Sequence, residues 1–429
     1  MKALLCLAVL MLAVPVSAQM TMPMPMGEGA THTEAPVEGE LLGTVSFSVS
    51  CAASSQQPFN RGVALLHDFW YEEARPQFER IEKSDPGCAM AHWAVAMSIF
   101  HQIWDRPDAE ARKLGWAKMQ KALALKASTG REQEYIAALA DFYRPGSEAY
   151  PARIQAYSDH MAELYRHYPD DVDAGAFYAL SLLAAERPGD TSLVQPYKAM
   201  AVLQPLFAKA PDNPGVDHYI VHACDNPAMA ADALAASDHY LEIAQSGPHA
   251  YHMPGHIYAR LGLWQKDILS QIGSIVASEA AEKTGMSGIM DEPHSYDFLV
   301  YAYLQTGQDA KAKAALDQSQ AALTRLGAMP GMGAGYMAAM IPYYRVKLAI
   351  FYALELRDWK SAAALKPVAG SPPEDAMLVN WARAIAHGRL MQPAEARADL
   401  AHYDAAVAEI KASPRAYLIE GNGAAIERN

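Results

Sequence analysis

Two pairs of histidines lie one repeat length apart in the chain. His218 and His222 form the first pair and His252 and His256 form the second. Within each pair the spacing is i, i+4, which places both imidazoles on one face of a helix. The second pair follows the first by 34 residues, and a fixed period of roughly 20–50 residues is typical of repeat architectures. The spacing therefore predicts neighbouring stacked helical units that carry histidines at equivalent positions.

The hairpin pattern behind this period is clearest in residues 59–86, which read FNRGVALLHDFWYEEARPQFERIEKSDP. Gly62 is a small residue at the point where two paired helices would approach closely. Ala74 lies in the first turn of the second helix, Phe78 is expected to pack inward, and Pro86 ends the unit. Later in the chain Trp359 and Pro393 are separated by the same period, so the repeat extends beyond the histidine pairs.

With these features the chain resembles the tetratricopeptide-repeat (TPR) family over most of residues 55–412. The resemblance implies an all-α fold, a right-handed superhelical solenoid of TPR-like helical hairpins over residues 46–429. A single hairpin is too small to bury its own apolar face, whereas stacked hairpins build one continuous core. With 51% apolar residues the chain can supply that core. The repeat is a scaffold with many uses, so the resemblance alone does not assign a function.

The N-terminal segment, residues 1–18, has the pattern of a secretory signal peptide. Lys2 precedes an apolar run, and Val16, Ser17 and Ala18 form an A-x-A-like cleavage site. The run is shorter than the roughly 20 residues that a membrane-spanning helix needs, and no other apolar run is longer. We therefore expect an exported protein, periplasmic or secreted, with no membrane span.

Residues 19–45 are rich in Met, Pro, Gly, Thr and Glu, a composition that predicts a disordered leader. Met20, Met22, Met24 and Met26 alternate within it. Thioethers are soft ligands that suit Cu(I). The alternative is a low-complexity leader whose methionines bind nothing.

Charge and cysteine content narrow the possible partners. The formal net charge is −13 and the basic residues are scattered, which argues against a nucleic-acid partner. In an oxidising compartment Cys51 and Cys88 could form a disulfide that ties the N-terminal segment to the first repeats. Cys224 lies beside the first histidine pair, where it is either a small buried hydrophobe or a soft metal ligand.

Imidazoles from adjacent helices of a stack, about 8–10 Å apart, can converge on one point. Neutral imidazoles suit Zn, Cu, Ni or Fe, so the sequence predicts a transition-metal site. The paired histidines, together with the methionine-rich leader, favour copper over zinc. The five predicted metal ligands are His218, His222, His252, His256 and His294. By the resemblance, three further residues line the concave groove: Asp225, His249 and Arg260.

The two HxxxH pairs lack the glutamate of the HExxH zinc proteases, because Tyr219 and Met253 occupy its place. A catalytic base would have to come from elsewhere, and the candidates are Asp217, Asp225, Asp291 and Glu292.

Three functions remain open at this point. The first is a groove that binds a transition metal for handling or chemistry. The second is a metal-independent scaffold that binds a peptide or an envelope protein in the concave groove. The third is a metalloenzyme acting on a small exported substrate, for which catalytic residues are unknown.

Overall fold

A computed structural model describes residues 39–103, 106–146, 149–187, 190–283, 291–328, 335–413 and 416. Over these residues the chain forms eighteen α-helices and two short 3-10 helices, and no β-strand. The predicted signal peptide and residues 19–38 of the predicted leader lie outside the described residues.

The eighteen helices pair in chain order into nine hairpins, each with a first and a second helix. Hairpins one to five consist of α1 (Gln56–His67) and α2 (Tyr71–Ser84), α3 (Ala89–Met97) and α4 (Ala109–Leu125), α5 (Gly130–Tyr143) and α6 (Tyr150–His167), α7 (Val172–Ala184) and α8 (Val194–Lys209), and α9 (Pro214–Cys224) and α10 (Leu234–Ile243). Hairpins six to nine consist of α11 (Pro248–Arg260) and α12 (Trp264–Lys283), α13 (Asp291–Gln305) and α14 (Asp309–Gly327), α15 (Gly335–Glu355) and α16 (Trp359–Ala363), and α17 (Pro373–Arg389) and α18 (Pro393–Lys411).

The hairpins stack as a TPR-like solenoid, which confirms the predicted all-α fold class. Each helix packs on the next one in the chain, and first helices also pack on first helices of neighbouring hairpins, as α9 does on α11 and α11 on α13. The first helices α3 and α7 are apolar on almost every side because they have neighbours on several sides. The second helix α2 instead buries one face through Ala74, Phe78 and Ile81.

Hairpin one illustrates how the sequence sets the helix spacing. A Cβ atom at Gly62 would lie 2.4 Å from Cε1 of Phe78, so only glycine allows α1 and α2 to approach this closely. Phe78 is fully buried and its ring contacts that of Phe59 at 5.3 Å between centroids. The roles predicted for Gly62 and Phe78 are thus confirmed.

The first helix of hairpin one also contacts the first helix of hairpin five, so the N-terminal half of the solenoid closes on itself. At this contact the buried imidazole of His67 lies between the hydroxyl of Tyr219 (2.9 Å) and Oδ1 of Asp173 (3.0 Å). Gly215 makes the approach possible, because a Cβ atom there would lie 2.3 Å from Nδ1 of His67. The closure brings the α1–α2 turn to the face of α9 that carries the first histidine pair.

Residues 39–49 form an extended segment that packs on hairpins one to five. The backbone N–H groups of Gly43 and Thr44 donate to the carbonyls of Ile243 (2.8 Å) and Asp212 (2.7 Å). Phe47 is fully buried, and its ring contacts aromatic rings on three first helices, those of Phe59, Trp93 and Tyr135. The ordered part of the chain therefore begins before residue 46, and residues 39–45 are not part of a disordered leader as the composition predicted.

Cys51 and Cys88 are joined by a disulfide, with their Cα atoms 4.9 Å apart. The bond links the end of the extended segment to the residue that precedes α3. None of the described helices is both long and apolar enough to cross a bilayer.

Candidate metal centre

Helices α9 and α11 carry the two histidine pairs, and each begins with a proline, Pro214 and Pro248. Proline suits the first turn because its missing N–H would have no partner inside the helix. Since α11 begins at Pro248, His252 and His256 both lie within it and share one face, although Pro254 lies between them.

Within each pair the Nε2 atoms face each other. They are 3.0 Å apart for His218 and His222 and 2.8 Å apart for His252 and His256. The i, i+4 relationship that the sequence predicts is therefore present in both pairs.

Each pair gains a third histidine from the following first helix. His249, near the start of α11, joins His218 and His222, while His294, near the start of α13, joins His252 and His256. In each triad, one ligand atom from every residue lies within 4.8 Å of the others. We call the triads site 1 (His218, His222, His249) and site 2 (His252, His256, His294).

This arrangement differs from the predicted site in its division into two triads, and it adds one residue to the predicted ligands. The five predicted ligands do not converge on one point, because the pairs belong to separate triads. His249, predicted as a groove residue, lies among the imidazoles of site 1. The two sites are nevertheless adjacent, since the ring centroids of His249 and His252 are 6.0 Å apart.

Hydrogen bonds to the Nδ1 atoms fix two of the three rings of site 1. The Nδ1 atom of His218 donates to the backbone carbonyl of His67 at 2.5 Å, so the last residue of α1 orients a ring on α9. The Nδ1 atom of His249 lies 2.9 Å from Oδ1 of Asp291. An acceptor at Nδ1 fixes the tautomer that leaves Nε2 free of a proton, which is how metal-binding histidines are usually held.

Site 2 is held in the same way. The Nδ1 atom of His252 donates to Oε1 of Gln271 on α12 at 2.7 Å, and Gln271 in turn donates to Asp267 at 2.9 Å. The Nδ1 atom of His256 lies 2.9 Å from Oδ2 of Asp225, which follows the last residue of α9. Both rings therefore direct Nε2 toward the centre of the triad.

Burial keeps five of the six imidazoles neutral. Removal from water lowers the pKa values of five histidines, and the neighbouring imidazoles lower most of them further. The pKa of His249 falls to about 3, and the other four have pKa values well below the usual one: His218, His222, His252 and His294. Protons therefore compete weakly with a metal ion for these nitrogens near neutral pH.

The four acidic residues considered as bases divide into two groups. Asp225 and Asp291 hydrogen-bond to histidines of the triads. Asp217 instead lies 2.8 Å from Nδ1 of His239, and Glu292 accepts from Arg325 at 2.5 Å. Only the first two carboxylates are in contact with the candidate metal ligands.

Arg260 and Cys224 are the two remaining residues that the sequence analysis named near the histidine pairs. Arg260 donates from Nε to Oδ1 of Asp225 at 2.5 Å, so it neutralises the carboxylate that holds His256. Cys224 is fully buried and belongs to neither triad, and burial raises the pKa of its thiol to about 12. A protonated thiol is a poor ligand, which favours the packing role for Cys224.

Sequence reasoning missed one phenylalanine at each triad. Phe298 on α13 faces all three rings of site 2 and lies four residues after His294, a spacing that could have revealed it. Phe69 in the α1–α2 turn faces all three rings of site 1. Because Phe69 lies in hairpin one and His218 in hairpin five, no local signal identifies it.

No protein-family model matches this chain, and none of the curated proteins matches it. Among solved structures, the chain is similar to the apo form of RapI, with a TM-score of 0.45, 10% sequence identity, and coverage of 83% of this chain and 98% of RapI.

The Rap protein complexed with competence and sporulation factor is similar with a TM-score of 0.41 at 13% identity, covering 84% of this chain and 99% of that protein. The human IFIT1 dimer with m7Gppp-AAAA is similar with a TM-score of 0.36 at 13% identity, covering 83% of this chain and 82% of IFIT1. These similarities assign no function to the chain.

Proposed function

We propose that this protein binds two transition-metal ions, one at each histidine triad. The observation that carries the proposal is the orientation of the paired rings. The Nδ1 atoms of His252 and His256 are held by acceptors, while their Nε2 atoms lie 2.8 Å apart. Metal–nitrogen bonds of about 2.0–2.1 Å would place two such atoms in neighbouring coordination positions, at roughly 90° to each other.

The donor set favours a borderline metal ion. Each triad supplies imidazole nitrogens, which suit Zn, Cu, Ni and Fe, and supplies no thiolate. We propose copper before zinc because alternating methionines occur in residues 19–45, and thioethers are ligands for Cu(I).

An oxidising, exported location fits the same proposal. Residues 1–18 have the pattern of a secretory signal peptide. The disulfide between Cys51 and Cys88 is typical of a chain that folds outside the reducing cytosol. We propose that the protein handles metal in the periplasm or after secretion.

Metal analysis of tag-free protein tests the proposal. We expect about two equivalents of metal per chain after reconstitution with Cu(II) or Zn(II), one for each triad. His222→Ala and His256→Ala should each lose about one equivalent, and the double variant about two. The matched control is His160→Ala, because His160 is exposed, lies outside both triads and pairs with Asp141. Less than about one-tenth of an equivalent in the unmodified protein, before and after reconstitution, would contradict the proposal.

A metal-independent scaffold for a protein or peptide partner is the second candidate, and the nine-hairpin solenoid favours it. Residues 39–49 already cover part of hairpins one to five, where Phe47 lies among three first helices. The partner would therefore have to bind beside this segment or on later hairpins. Partner binding that is unchanged in the His222→Ala/His256→Ala variant, together with no bound metal, would favour this candidate.

A further inference from the structure

Each triad faces one phenylalanine ring. At site 1 the ring centroid of Phe69 lies 4.4 Å from that of His218, 5.3 Å from that of His222 and 5.6 Å from that of His249. At site 2 the centroid of Phe298 lies at 5.0, 4.5 and 5.3 Å from the three histidine rings. The two sites thus share a common plan of three imidazoles that all face one phenylalanine ring.

The phenylalanine of site 1 is held by the closure of the solenoid. Phe69 is 2% exposed and has a φ of 55°, the left-handed conformation that places it in the tight turn between α1 and α2. His67, two residues before Phe69, packs on α9, and its backbone carbonyl accepts the hydrogen bond from His218. His218 and His249 are 0% and 4% exposed, and His222 is half-buried with its ring stacked on Phe69. The α1–α2 turn therefore covers site 1, and an ion held there should leave more slowly while this turn stays in place.

Among the described residues, no comparable turn covers site 2. Its phenylalanine, Phe298, is half-buried and lies on the same helix as His294. The side chains of His256 and His294 are 18% and 31% exposed, although His252 is fully buried. Two of the three ligands are therefore reachable from solvent.

The charges around site 2 leave a bound cation without a counter-charge. An imidazole carries no charge when it binds a metal, and the two carboxylates that lie against histidines of site 2 are already paired, Asp225 with Arg260 and Asp297 with Lys347. A divalent ion on three protein ligands keeps open coordination positions. A small anion in an open position would supply both a donor atom and the missing negative charge.

We propose, on the basis of the metal-binding function above, that the two sites have different tasks. Site 1 holds its ion as a sealed centre under Phe69. Site 2 is the exchangeable centre, where a small anion that coordinates through one nitrogen or oxygen atom binds directly to the ion.

Copper release and azide binding test this division of tasks. The protein is loaded with Cu(II), and release to excess EDTA is followed by stopped-flow absorbance. We expect two phases of equal amplitude, the slow one at least about tenfold slower because it needs local opening of the α1–α2 turn. Azide, followed by its charge-transfer band, should bind to about one ion per chain.

Single-ligand variants assign the phases to the sites. His256→Ala should lose the fast phase and the azide band, whereas His222→Ala should lose the slow phase and keep the azide band. Phe69→Ala should accelerate the slow phase, and Phe298→Ala is the matched variant that should leave it unchanged. If Phe69→Ala does not fold, the assignment through the two histidine variants still decides the question.

The outcomes separate this inference from the proposal on which it depends. Two bound equivalents that leave in a single phase, or an azide band that survives in His256→Ala, overturn the division of tasks while metal binding stands. A protein that binds no copper overturns the metal-binding function and this inference with it.

Discussion

His256 and Asp225 form a hydrogen-bonded pair that connects site 2 to the end of α9, with Nδ1 of the histidine 2.9 Å from Oδ2 of the aspartate. Burial by itself would raise the pKa of Asp225, but His256 and Arg260, which both donate hydrogen bonds to its carboxylate, outweigh burial and lower the pKa. The carboxylate is therefore ionised when the ring binds a metal through Nε2.

Asp225→Asn should weaken metal binding at site 2 by about 10–100-fold, which is the usual effect of removing a carboxylate behind a histidine ligand. The measurement is a competition titration with a chromophoric chelator in the His222→Ala background, where only site 2 has its full ligand set. Asp317→Asn is the control, since Asp317 forms an exposed pair with Lys313. Equal affinity in the Asp225→Asn protein would show that the pair does not orient His256.

Gly215 tests the closure of the solenoid. Replacing a helical glycine with alanine normally stabilises a protein by about 0.5–1 kcal/mol. At Gly215 the sign should reverse, because the new Cβ would lie 2.3 Å from Nδ1 of His67, and overpacking of this kind costs about 1–3 kcal/mol. Gly388→Ala on α17 is the matched control, as nothing lies within 4 Å of a Cβ there.

Chemical denaturation of the two glycine variants gives the comparison. Displacement of His67 should also break the hydrogen bond from Nδ1 of His218 to the His67 carbonyl. The Gly215→Ala protein should therefore release copper from site 1 faster than the unmodified protein. A Gly215→Ala protein as stable as Gly388→Ala would mean that α1 does not pack on α9.

Asp267 gives a dependence of stability on pH. Burial raises the pKa of its carboxyl group to about 7, above the unfolded value of about 3.9. The folded state then binds an extra proton between these two values, so the stabilisation is present at low pH and is lost as the pH rises through 7. The change that Asp267→Asn causes in the free energy of unfolding of the metal-free protein should therefore be about 1–3 kcal/mol more favourable at pH 8 than at pH 5.

Urea unfolding of metal-free protein at the two pH values measures this difference. Asp238→Asn is the control, because Asp238 is half exposed and pairs with Lys266 at 2.7 Å. A change for Asp267→Asn that is the same at both pH values would contradict the raised pKa.

The sequence predicted the fold class and the histidine pairs because both depend on short-range spacing. The repeat period sets how neighbouring hairpins stack, and i, i+4 spacing sets which side chains share a face, as for His218 and His222. The division into triads depends instead on which residue near the start of the following hairpin's first helix faces the histidine pair. His249 and His294 take that position in consecutive hairpins, but their separation in the chain is longer than the repeat period. The period alone therefore does not identify them as equivalent.

Contacts between distant hairpins could not be predicted from the sequence. The period fixes the relation between neighbours but not the curvature, which brings α1 against α9 and Phe69 against site 1. The extended segment shows the same limit. Its composition predicted disorder up to residue 45, whereas Leu42 and Val45 are buried, and the backbone between them is hydrogen-bonded to residues far along the chain.

Phe47 is the side chain that should anchor the extended segment most strongly. It is fully buried and contacts the rings of Phe59, Trp93 and Tyr135 at 5.5, 5.5 and 5.0 Å between centroids. Phe47→Ala should therefore lower the free energy of unfolding by about 3–5 kcal/mol, as is usual for truncation of a buried phenylalanine. Leu41→Ala in the same segment is the matched control, because Leu41 is 45% exposed and surface substitutions usually change stability by less than about 0.5 kcal/mol. Equal, small effects of the two substitutions in urea unfolding would mean that residues 39–49 do not pack on the solenoid in solution.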